Sequence, residues 1–83
     1  MSKKEKLLER FKSLPNDFTF DELVSVFKLF GYIVDNKGTT SGSRVRLQNG
    51  TDYYNFHRPH PGNIVKQNTL KAAYQYLKQL KLL

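Results

Sequence analysis

At 83 residues the chain has room for one domain with a modest core and not for two. It has no cysteine, which excludes disulfides and thiolate metal sites, and no apolar run of membrane-spanning length. Fourteen Lys and Arg against seven Asp and Glu leave a net charge of +7, a balance that suits a polyanionic partner.

Charge throughout Met1 to Phe11 argues against a signal peptide and for a cytoplasmic protein. From Lys3 to Ser13 the positions Leu7, Leu8, Phe11 and Leu14 share one helical stripe, which Leu14-Pro15-Asn16-Asp17 breaks. A second helix opens at Thr19, where Glu22 completes a capping box. Its apolar face is Phe20, Leu23, Val24, Phe27 and Phe30, and Gly31 is a natural stop at C′. Tyr32 to Asn36 reads as a short strand, and Lys37-Gly38 begins a turn. Ser43–Leu47 and Asp52–His57 supply two more strands. Arg58 to Gln67, with Pro59, Pro61 and Gly62, is a loop. The last helix begins at Asn68 or Thr69 and carries Leu70, Ala73, Tyr74, Leu77 and Leu80 at helical spacing.

Asn49-Gly50 between two alternating runs is a strong hairpin signal, since a type I′ turn needs positive φ at both central residues. With those two as the turn, Gln48 lies opposite Thr51, Leu47 opposite Asp52, Arg46 opposite Tyr53, Val45 opposite Tyr54 and Arg44 opposite Asn55. Ser43 then faces Phe56, and Gly42 faces His57. Opposed residues share a face and neighbours alternate. One face is Val45, Leu47, Tyr54 and Phe56, a core. The other is Arg44, Arg46, Tyr53, Asn55 and His57, a surface suited to a phosphate backbone.

The order is α-α-β-β-β-α, an α+β class with a three-stranded antiparallel sheet. The second and last helices cover its apolar face and leave the other open. Residues 1–35 hold six basic and six acidic side chains, whereas residues 36–83 hold eight basic ones and a single acid, Asp52. The excess charge therefore sits in the half that carries the hairpin, and nucleic acid leads the partner classes.

Several short marks recur in this order: Glu22-Leu23, Gly31-Tyr32, Gly42-Ser43, His60-Pro61-Gly62 and Thr69-Leu70-Lys71. In that spacing the chain resembles the HicA (YcfA-like) family of bacterial toxins, with the match running from about Thr19 to Leu83. The resemblance implies a double-stranded-RNA-binding-domain-like fold and a single domain over residues 1–83, with residues 1–16 as an N-terminal helical extension and 19–83 as the core. It also implies an mRNA-cleaving toxin held inactive by a HicB-type antitoxin. Family members commonly read Gly-Ser-His at the second strand, the histidine being catalytic. Here that position is Arg44, within a Thr-Ser-Gly-Ser-Arg form that looks like a subgroup's, so the family's catalytic residue is not carried over.

Metal-free RNA cleavage needs a base for the ribose 2′-OH, a donor for the leaving oxygen and positive charge near the phosphorus. His57 is the acid–base candidate, with a surface strand-end residue as its other reading. Arg44 is placed to grip phosphate through its planar guanidinium. Arg46 and Ser41 are candidates for positioning the backbone. Tyr53 is suited to stack on a base or to pair with Arg46 across the strands. His60 either shapes its loop or assists. Lys66 and Lys71 flank the last helix's start, where free N–H groups favour an anion. A single carboxylate in the basic half does not make a two-metal site, and no Gly-rich nucleotide loop is present, so neither metal nor nucleotide cofactor is expected. RNA binding without chemistry and a protein-interaction module facing an acidic antitoxin remain alternatives.

Overall fold

A computed structural model describes residues 3–34, 44–59 and 62–83, without the side chain of Arg44. The elements run α1 (Lys3–Lys12), α2 (Phe20–Leu29), β1 (Ile33–Val34), β2 (Arg44–Asn49), β3 (Asp52–His57) and α3 (Gln67–Gln79). The three strands form one antiparallel sheet with β2 in the centre. This is the expected α+β arrangement, a double-stranded-RNA-binding-domain-like fold with one sheet face left open.

Each helix ends where local chemistry ends it. Thr19 accepts from the Glu22 amide at 3.1 Å while the Glu22 carboxylate accepts from the Thr19 amide at 2.9 Å, so the expected capping box is formed. Gly31 takes φ +92° after α2, and Tyr32 donates back to the Phe27 carbonyl at 3.1 Å, as a Schellman stop requires. Lys81 does the same after α3 with φ +61°, and Leu82 donates to Leu77. The chain leaves the helix there, so Leu80 is 40% exposed rather than continuing the apolar stripe.

The last helix starts earlier than its capping residues suggested. Lys66, not Asn68 or Thr69, is the N-cap, and its side chain makes no capping bond. Tertiary anchoring decides this start. Val65 is buried and its amide donates to the Phe18 carbonyl at 2.8 Å, while Thr19 and Ile64 form an antiparallel bridge. In β1 only Ile33 and Val34 pair with β2, and residues 35 and 36 lie outside the described residues.

The core lies between the sheet and the helices. Phe27 of α2 stacks on Tyr54 with ring centroids 5.0 Å apart, and Tyr76 of α3 meets Tyr54 at 4.5 Å. Val45, Leu47 and Phe56 are buried beneath them, as the alternation required. Tyr32, buried among these rings, hydrogen-bonds its hydroxyl to that of Tyr76 at 3.0 Å. Burial first and that hydrogen bond second push its ionisation far above the ordinary phenol range. Helix α1 is tied in by Phe11, which is fully buried against Phe18 and Tyr74. Arg10 secures the outside, its Nε donating to Glu22 at 2.9 Å and its guanidinium pairing with Asp17 at 3.1 Å.

Candidate nucleic-acid interface

The hairpin turn falls one residue later than Asn49-Gly50. Asn49 pairs with Asp52, and the central residues are Gly50 and Thr51. Gly50 has φ +61° while Thr51 keeps a negative φ, the pattern of a type II′ turn with Gly first. Every partner is thereby displaced by two places. Gln48 faces Tyr53, Leu47 faces Tyr54, Arg46 faces Asn55, Val45 faces Phe56 and Arg44 faces His57. A displacement of two preserves parity, so the division into two faces survives the corrected register.

The open face is thus built in rows. Ile33, Gln48 and Tyr53 form one row across all three strands, Arg46 and Asn55 the next, and the Arg44 position and His57 the last. Among the described residues these positions hold no carboxylate, because Asp52 has the opposite parity at the turn. Arg58 is drawn off this face and lies over the Phe20 ring at 5.2 Å.

Arg46 does not sit directly opposite Tyr53, yet the two meet diagonally. The guanidinium carbon lies 4.2 Å from the Tyr53 ring centroid, a close cation–π contact. Gln48 donates its amide to the Gly50 carbonyl at 3.2 Å and to the Tyr53 hydroxyl at 3.4 Å. Tyr53 is held by Arg46 and Gln48 and is 43% exposed as a residue.

His57 is exposed at the end of β3, an edge strand of the sheet. It lines a cleft of about 330 Å³ between that strand and the first turns of α3, together with Asn55, Asn68, Thr69 and Ala72. Lys66 and Lys71 stand exposed at the N-cap and in the first turns of α3, outside the strands that build the open face. Ser41 and His60 lie outside the described residues. Sequence reasoning did not select Gln48, Ile33, Asn68 or Thr69 for this surface. The parity rule places Gln48 there with Arg44 and Arg46 in either register.

The HicA toxin model, described as the HicA toxin of bacterial toxin–antitoxin, matches residues 20–82, well over half of the sequence. The chain belongs to the HicA toxin family. No curated protein and no solved structure matches it. The HicA match begins at the first residue of α2 and takes in both strands of the hairpin and all of α3, so the whole open face falls within it, while α1 lies outside. As a HicA-family member the chain is a toxin of a toxin–antitoxin pair and has a cognate antitoxin as its implied partner. Among the described residues, no helix is long and apolar enough to cross a membrane, and no group of three His, Asp or Glu could hold a metal ion.

Proposed function

We propose that this HicA-family chain is an mRNA interferase that cleaves RNA without a metal ion on the open face of its sheet, in the cytoplasm, under the control of a HicB-type antitoxin. The observation that supports it most directly is the register pair of Arg44 with His57. It pairs an arginine position with a histidine at the exposed end of β3, residue types that supply a lasting positive charge and an acid–base group.

In this reading His57 takes the proton of the ribose 2′-OH. The 2′ oxygen bonds to phosphorus, the bond to the 5′ oxygen breaks, and the products are a 2′,3′-cyclic phosphate and a 5′-hydroxyl, whose proton comes from solvent water while His57 later returns its own to solvent. Arg44 grips and polarises the phosphate, so charge developing on its oxygens meets a fixed cation. Arg46 and Ser41 position the backbone and Tyr53 meets a base. Lys66 and Lys71 at the start of α3 add positive charge for the RNA backbone, and His60 assists binding. The metal-free chemistry is supported by the basic half's single carboxylate, Asp52, set at the turn.

Purified protein incubated with labelled RNA in excess EDTA tests the proposal. Strand scission there supports it, and scission only on adding a divalent cation overturns it. The arginine at the family's histidine position favours a second reading, RNA binding without chemistry. That reading expects salt-sensitive binding with the strand intact after long incubation.

A further inference from the structure

We propose that Tyr53 is a stacking platform for one unpaired base of single-stranded RNA, beside the point of cleavage and not at it. This rests on the reading of the open face as the RNA surface. Three observations carry it. Tyr53 is 43% exposed on a face that has no core to build. It is held from two directions, by the Arg46 guanidinium at 4.2 Å from its centroid and by Gln48 on its hydroxyl, so little rotamer freedom remains to be lost on binding. Ile33, 62% exposed, lies in the same row across Gln48 and extends the apolar floor toward β1.

The occupant follows from charge and shape. The open-face positions pair an aromatic plane with cations and, among the described residues, carry no carboxylate, which suits a polyanion with flat apolar groups. A base inside a duplex has both faces covered by its neighbours and cannot lie on a tyrosine, so the platform selects an unpaired one. Tyr53 stands four residues from His57 along β3, about 13 Å at a strand's rise. A base stacked there does not adjoin the phosphate at His57, so the contact governs binding and site choice, not the bond-breaking step.

The test compares the full chain with Tyr53→Ala, Tyr53→Phe and Tyr53→Trp on three labelled probes. These are a single-stranded oligoribonucleotide, the same strand in a duplex, and a strand of equal length with abasic positions. Tyr53→Ala is expected to lose about 5- to 150-fold in affinity for the intact single strand, the range for one stacked base, while Tyr53→Phe, which keeps the ring and loses only the Gln48 contact, retains most of it. On the abasic strand wild type and Tyr53→Ala bind alike. In cleavage, Tyr53→Ala raises KM and leaves kcat in place. The chain has no tryptophan, so the indole of Tyr53→Trp reports alone, quenched by the single strand and not by the duplex. Unchanged affinity of Tyr53→Ala for the intact strand overturns the platform, as does an equal loss on the abasic strand. Both results leave the RNA reading of the face standing if His57 still controls cleavage. Wild-type protein that binds none of the probes removes both.

Discussion

Asn49 donates its side-chain amide to the Phe30 carbonyl at 3.2 Å, binding the end of β2 to the end of α2. Its amide also lies 3.4 Å from where a Cβ on Gly31 would stand, so the two segments meet closely. This bond gives Asn49 a place in the strand and leaves the turn to Gly50 and Thr51. Asn49→Ala is expected to cost about 1 kcal/mol by leaving that carbonyl unpaired. Gly50→Ala meets no atom within 4 Å, so its cost, also roughly 1 kcal/mol, comes from φ +61° alone. Urea unfolding midpoints check both, and an Asn49→Ala variant as stable as wild type contradicts the tie.

The element order and both faces of the sheet were legible because alternation and helical spacing are local signals. Val45, Leu47 and Phe56 are buried and His57 is exposed as parity demanded. The turn position was not legible. Asn-Gly fits a I′ bend in isolation, and the Phe30 carbonyl that claims Asn49 lies 19 residues away. The α3 start was hidden for the same reason, since Val65 is fixed by Phe18 across the fold and not by a nearby cap. Of the candidate site, Arg46 and Tyr53 do meet, and the Arg44 position lies opposite His57, closer in register than the two-residue Asn-Gly turn implied.

Lys81 closes α3 in a left-handed conformation at φ +61° with an exposed side chain. An L-residue is strained there and glycine is not. Lys81→Gly is therefore expected to stabilise the protein by up to about 1 kcal/mol and raise the thermal midpoint. A lowered midpoint contradicts the stop as described.

Glu22 links the capping box to Arg10, and the Arg10 hydrogen bond, acting against burial, holds its carboxyl below the ordinary value. A lowered folded-state pKa means that stability is present above the unfolded value of about 4.3 and is lost as pH falls through the folded value. Wild type should lose more stability than Glu22→Gln between about pH 6 and pH 3. Thr19→Ala, which removes the other half of the box, should cost about 1 kcal/mol at neutral pH. Chemical unfolding at the two pH values reads the difference, and parallel losses in wild type and Glu22→Gln contradict it.

The central claim is that the imidazole of His57 moves the proton in RNA cleavage. Single-turnover cleavage by wild type and His57→Ala, with RNA affinity measured on the same preparations, addresses it most directly. The account predicts a fall of at least roughly 100-fold in the cleavage rate with affinity nearly unchanged. A His57→Ala variant that cuts RNA at the wild-type rate would contradict it.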